Sequence, residues 1–115
     1  MDDKLLSLIN LERSKVGSNP LNYRLDIQQA SDLRAQEASV KWSHDRPNGK
    51  PYYSVNDAIY GENLAYGFNS AEEIVKAWLD SPTHRKVMLD NKYNGASIGV
   101  YDDGKNKWYS LELTI

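Results

Sequence analysis

From residue 96 onward the hydrophobic period of the chain changes from helical to two, and no other feature narrows the possible folds as much. Ala96, Ile98 and Val100 alternate with Ser97, Gly99 and Tyr101. Tyr109, Leu111, Leu113 and Ile115 alternate with Trp108, Ser110, Glu112 and Thr114. Asp102-Asp103-Gly104-Lys105-Asn106 separates the two runs and supplies a glycine for positive φ. The pattern predicts that residues 96–101 and 107–114 pair as an antiparallel hairpin.

The preceding residues read as helices and one short strand. Leu5, Leu8 and Ile9 recur at helical spacing over residues 3–16, and Gly17 stops that helix before the Gly17-Ser18-Asn19-Pro20 turn. Asp26 is expected to cap a second helix, with Gln29 reaching back to it. Its apolar stripe of Ile27, Ala30, Leu33 and Val40 is interrupted by Glu37. Residues 43–61 contain Pro47, Asn48-Gly49, Pro51 and Gly61 and predict a long ordered loop, which in a small domain points to function. Glu62 to Tyr66 predicts a short strand. Ser70-Ala71-Glu72-Glu73 is a capping box, followed by the helical face Ala71, Ile74, Val75 and Trp78. Ser81-Pro82 ends that helix and starts another. The order is two helices, a loop and strand, two helices and a hairpin. A single domain over residues 1–115 is expected, of α+β class: a three-layer α-β-α sandwich with a small antiparallel sheet.

Composition matters for what it excludes. With 14 Lys and Arg against 16 Asp and Glu, and no basic run of five or more, a nucleic-acid partner is not expected. The chain has no cysteine, so disulfides, thiolate metal ligands and a cysteine nucleophile are excluded together. No apolar run approaches the about 18 residues of a membrane span. Met1-Asp2-Asp3-Lys4 does not begin a signal peptide, as expected for a processed form or a trimmed chain.

Candidate chemistry rests on few residues. The two histidines lie in turn-rich polar settings, His44 in Trp42-Ser43-His44-Asp45-Arg46-Pro47-Asn48-Gly49 and His84 in Ser81-Pro82-Thr83-His84-Arg85. Their spacing matches no local zinc signature, and taken alone each reads as readily as a surface or capping histidine. Glu62 and Asn63 stand side by side between Gly61 and Gly67, either as a turn whose amide bonds the backbone or as a carboxylate at a cleft edge. Trp42, Trp78 and Trp108 are expected as core fillers rather than ligand stackers.

Three segments together resemble a known family. Ser43-His44-Asp45-Arg46-Pro47-Asn48-Gly49 is similar to the Ser-His-x-Arg-Pro-Asp-Gly signature of bacterial CAP (SCP-like) domains. Gly61-Glu62-Asn63-Leu64-Ala65 resembles their Gly-Glu-Asn-Ile/Leu-Ala segment, and Trp78 to Arg85 their Trp-x-x-Ser-Pro-Gly-His-Arg. The segments occur in family order, and the hairpin with Ile98-Gly99-Val100 and Trp108-Tyr109 extends the match over essentially the whole chain. The CAP superfamily includes cysteine-rich secretory, antigen 5 and pathogenesis-related proteins, and this chain resembles its cysteine-free bacterial type.

The resemblance implies an α-β-α sandwich and an extracellular or cell-surface location. It implies a cleft formed by His44, Glu62 and His84, with His44 and His84 as ligands of a divalent metal, zinc first. The family's second acid falls near Ser81 here, and Asp80 is the nearest carboxylate but a poor replacement. Thr83 stands where glycine is usual. Two imidazoles and a carboxylate form a known zinc set with an open position, able to bind a ligand or activate water. Three functions follow: a binding or interaction module, a metal-dependent hydrolase of peptide or cell-wall material with Glu62 as its base, and a domain whose cleft is vestigial. A serine hydrolase would recruit Ser43 or Ser81, but neighbours in sequence do not establish that geometry. The expected partner is a small molecule, lipid, peptide or cell-wall ligand.

Overall fold

The computed structural model describes residues 2–115. Its elements are α1 (Asp3–Lys15), β1 (Asn22–Tyr23), α2 (Gln28–Val40), β2 (Gly61–Tyr66), α3 (Ala71–Asp80), α4 (Pro82–Leu89), β3 (Gly95–Asp102) and β4 (Lys107–Thr114). Single 3-10 turns lie at Leu25–Ile27 and Tyr52–Val55. The expected hairpin forms: β3 and β4 pair antiparallel from Gly95 opposite Thr114 to Asp102 opposite Lys107. β2 joins the other side of β4, also antiparallel. The sheet is not wholly antiparallel, because β1 adds in parallel to β3 and the strand order is β1-β3-β4-β2. A two-residue strand carries no period, so β1 left no mark in the sequence.

Alternation sends the strands' side chains into two unlike layers. Ala96, Ile98, Tyr109, Leu111 and Leu113 join Leu5, Ile9, Ile74, Trp78 and Met88 in the main apolar core, covered by α1, α3 and α4. The opposite face carries Ser97, Gly99, Ser110, Glu112 and Glu62 and is covered by α2. Small residues let α2 approach closely there. Ser110 donates its hydroxyl to the Ser31 carbonyl at 2.7 Å, and a Cβ on Gly99 would run into that same carbonyl.

α2 therefore buries a different face from the one its apolar residues predict. Ile27, Ser31, Arg34, Ala35 and Ala38 point inward, whereas Leu33 and Val40 are exposed. The physical reason is the polar sheet face beneath it, which rewards an ion pair over a leucine. Nor does Asp26 cap the helix. Its carboxylate accepts from Arg24, and the 3-10 turn precedes α2 without a side-chain cap. Ser70 does cap α3, accepting from the Glu73 amide at 3.2 Å, but the Glu73 carboxylate meets the Ser70 hydroxyl rather than its amide. Of the three tryptophans only Trp78 is a core filler; Trp42 is half exposed and Trp108 partly so.

Arg13 holds the C-terminal end of α4 in place. Fully buried on α1, it donates to the carbonyls of Asn19, Met88, Asp90 and Tyr93 at 2.8 to 3.0 Å. The bonds to Met88 and Asp90 satisfy carbonyls left unpaired at the end of α4, and those to Asn19 and Tyr93 tie in the adjoining loops.

Candidate functional site

Two buried charges support the first histidine from beneath. Arg34, on the inward face of α2, grips both oxygens of Glu62 on β2, Nε to Oε2 at 2.8 Å and Nη2 to Oε1 at 3.0 Å. Both side chains are wholly inaccessible to solvent. Burial would raise the Glu62 carboxyl, but hydrogen bonds from His44 and Arg34 outweigh it and hold the group below the usual carboxylate range. Glu62 Oε1 also meets Nδ1 of His44 at 2.9 Å, while the imidazole itself stays half exposed.

The loop that carries His44 is fastened by the residues around it in the first motif. Arg46 makes a forked contact with Glu37 at 2.9 to 3.1 Å, and Glu37 in turn accepts from Arg34. Glu37, which interrupts the apolar stripe of α2, thus joins the helix to the loop. Arg34 also donates to the Ser43 carbonyl at 3.0 Å. The Arg46 amide bonds the Lys50 carbonyl, and Gly49 takes φ +85° in the turn between them.

His84 arrives from α4 on the other side of β2. Pro82 opens that helix and Ser81 precedes it, as expected. However, the Ser81 hydroxyl meets Nδ1 of His84 at 2.8 Å instead of capping an amide. Asn63 donates to the His84 carbonyl at 2.9 Å, and Trp78 Nε1 to the Leu64 carbonyl at 3.1 Å, so β2 fixes both α3 and α4. Asn63 does bond backbone, though across the cleft rather than within its own turn. Burial lowers the His84 pKa, and His44 is near enough to lower it further.

The structure brings His44 and Glu62 into direct contact and His84 close by, whereas Asp80 is exposed and paired with Lys76. Both imidazoles are held by Nδ1, which leaves Nε2 free of protein partners among the described residues. The Glu62 oxygens are already engaged by Arg34 and His44. Among the described residues no group of three or more His, Asp or Glu side chains is placed to hold a metal. Glu62 is therefore a support for the His44 ring, with no oxygen left over for a further partner.

Sequence reasoning missed Arg34, Glu112 and Tyr52. Glu112 lies opposite Glu62 on β4, fully buried, with neither carboxyl oxygen hydrogen-bonded. Burial first, then the Glu62 charge, push its pKa well above the ordinary value. Tyr52 lies edge-on to His44 at 5.9 Å, and burial pushes its hydroxyl up to about 12. The signals were present: Glu112 sits on the side of its strand shared with Ser110, and Arg34 is seven residues after Ile27 on one helical face.

Comparison with known proteins extends these observations. The family model described as "CAP: Cysteine-rich secretory protein family" matches residues 6–112. The uncharacterized protein YkwD of Bacillus subtilis (strain 168) is 30% identical over 111 residues, covering 90% of this chain and 43% of that protein. The chain thus spans less than half the length of this curated relative. An extracellular protein containing an SCP domain from Bacillus anthracis superposes with a TM-score of 0.85 at 23% identity, over 96% of this chain and 39% of that one. An outer surface protein from Borrelia burgdorferi does so with a TM-score of 0.78 at 19% identity, over 96% of this chain and 89% of that one.

Proposed function

Because this chain belongs to the CAP, or cysteine-rich secretory protein, family over residues 6–112, we propose that it is an extracellular or cell-surface binding module working through the cleft of His44, Glu62 and His84. The observation that carries this reading is the 2.9 Å contact of Glu62 with His44 Nδ1, backed by the buried Arg34. A carboxylate at Nδ1 fixes the ring's orientation and tautomer and leaves Nε2 as an acceptor. The Ser81 hydroxyl holds Nδ1 of His84, and burial lowers the pKa of that ring, which favours its neutral form.

His44 and His84 are the residues that would hold a divalent metal, zinc first among them. Such an ion, when bound, supplies a Lewis-acid centre with open positions for a ligand's oxygen or nitrogen. The hydrolase alternative needs Glu62 as a free base, and its commitment to Arg34 and His44 speaks for binding instead. The location is supported by the extracellular and outer-surface proteins this chain resembles. Among the described residues no helix is long and apolar enough to cross a membrane.

Calorimetric titration with zinc tests the cleft. Wild type is expected to bind, and His44→Ala and His84→Ala each to lose binding with unchanged circular dichroism. A double variant that binds zinc as tightly as the parent would remove the metal from this reading.

A further inference from the structure

Aromatic rings that the core does not use are gathered on both sides of the histidine cleft. Trp42, Tyr66, Tyr53 and Tyr60 are 52%, 44%, 53% and 54% exposed. Tyr66 and Trp108, opposite one another on β2 and β4, stack with ring centres 4.3 Å apart and planes 16° apart. Trp42 stands edge-on to Tyr66 at 4.8 Å. A groove of about 380 Å³ runs from Trp42 and Tyr66 past Phe68 and Trp78 to Ser81 and His84. On the far side of His44, Tyr52 lies edge-on to its ring and Tyr53 follows at 5.3 Å. Tyr52, Tyr53, Asp57, Ile59 and Tyr60 line a second hollow of about 390 Å³.

The main core does not account for this arrangement: Trp42, Tyr66 and Trp108 pack on one another outside it. A single exposed ring is ordinary, but a contiguous group rimmed by polar side chains marks a binding surface. Trp42 follows the end of α2 and lies outside the main apolar core. The shape and charge of the surface select the occupant. Shallow hollows walled by flat rings suit a ligand with flat, weakly apolar faces and polar edges. Charges beyond Tyr66 and Trp108 are mixed, with Asp102 beside Lys105 and Lys107 around a polar hollow of about 350 Å³. A polyanion or an anionic lipid surface would need a basic field that is absent from this pattern. A pyranose ring fits: its C–H faces stack on aromatic rings, and its hydroxyl and acetamido groups bond to tyrosine, serine and asparagine at the edges. Two aromatic groups flanking one cleft call for a linear chain of such rings.

We propose that the His44–His84 cleft is the middle of a row of subsites for a linear, uncharged glycan strand. Trp42, Tyr66 and Trp108 hold the strand on one side of the cleft, and Tyr52, Tyr53 and Tyr60 on the other. This deepens the binding-module reading and rests on it, but it does not rest on a metal.

The test is a tryptophan-emission and calorimetric titration with chitohexaose, the β-1,4 hexamer of N-acetylglucosamine, in the presence of a chelator. Saturable binding is expected, at least about tenfold tighter than that of the dimer chitobiose, because only the longer strand spans both aromatic groups. Trp42→Ala and Tyr53→Ala should each weaken hexamer binding about tenfold, and Trp42→Phe should recover most of the loss. Leu25→Ala, an exposed apolar truncation beside β1 at the opposite edge of the sheet, should change nothing. Circular dichroism checks that each variant is folded. No saturable binding by wild type, or undiminished binding by a Trp42→Ala/Tyr66→Ala double variant, would overturn the proposal. So would an uncharged hexapeptide that binds more tightly than chitohexaose. Zinc binding without glycan binding overturns this inference and leaves the metal cleft standing; glycan binding without zinc binding supports it and removes the metal.

Discussion

Glu62 and Glu112 stand directly opposite each other on β2 and β4, both buried, yet only Glu62 is hydrogen-bonded to the Arg34 guanidinium and the His44 imidazole. Glu112 consequently holds its proton well above the ordinary carboxyl value of 4.5. A raised folded pKa carries no penalty below the unfolded value and costs stability as pH rises toward the folded one. Each unit of that interval costs about 1.4 kcal/mol. Glu112→Gln, which removes the titration and keeps the shape, should raise the melting temperature at pH 7.5 by at least about 5 °C and change it little at pH 4.5. Equal shifts at the two pH values would show that Glu112 is charged in the fold.

Arg34 is the other half of this buried system, and removing it strands the Glu62 charge. Arg34→Met should lose about 3–5 kcal/mol in urea unfolding, because an unpaired carboxylate is left without solvent. The double variant Arg34→Met/Glu62→Met should recover a large part of that loss, since well-packed apolar side chains often replace a buried pair without penalty. A single variant as stable as the parent would mean that water reaches Glu62.

Zinc stabilisation should follow the protonation of the histidines. Metal bound only to the folded chain adds about 2.7 kcal/mol when free metal is a hundred times the dissociation constant. For a domain of this size the melting temperature then rises by roughly 10 °C. The folded pKa of His84 is lowered from 6.5. Its neutral form therefore contributes stability above about 6.5 that is lost as pH falls through the folded value. The zinc-induced rise should thus be full at pH 7.5 and much reduced at pH 5, where protons compete with the metal. Equal rises at both would exclude histidine ligation.

The layer between α2 and the sheet leaves no room at Gly99. Gly99→Ala drives a methyl group into the Ser31 carbonyl, so the helix must lift and the Ser110–Ser31 bond must stretch. A loss of about 1–3 kcal/mol is expected from such overpacking. Gly104→Ala, whose strain is confined to an exposed turn, should leave the Glu62–His44 contact intact. The nuclear magnetic resonance signals of the His44 ring should move in Gly99→Ala and not in Gly104→Ala.

Periodicity and caps wrote the local part of this fold into the chain. The turn of the β3–β4 hairpin, the Ser70 cap and the start of α4 at Pro82 are set by neighbouring residues. The strands show as local patterns even where, as for Gly61–Tyr66 with β4, the partner lies far along the chain. Local sequence can encode such patterns. The three motifs pointed to His44, Glu62 and His84 only through their resemblance to the family, since either histidine taken alone reads as a surface or capping residue. Which face of α2 lies inside was settled by tertiary contacts alone, because the polar face of a sheet some sixty residues later in the chain made that choice. Leu33 and Val40 lost to Ser31 and Arg34 there, and an apolar count along the helix is blind to an ion pair with Glu62. The same holds for the cleft's chemistry: whether Glu62 is a ligand, a base or a support depends on how many of its oxygens are already taken. Arg34 and His44 take them through contacts 28 and 18 residues apart in sequence.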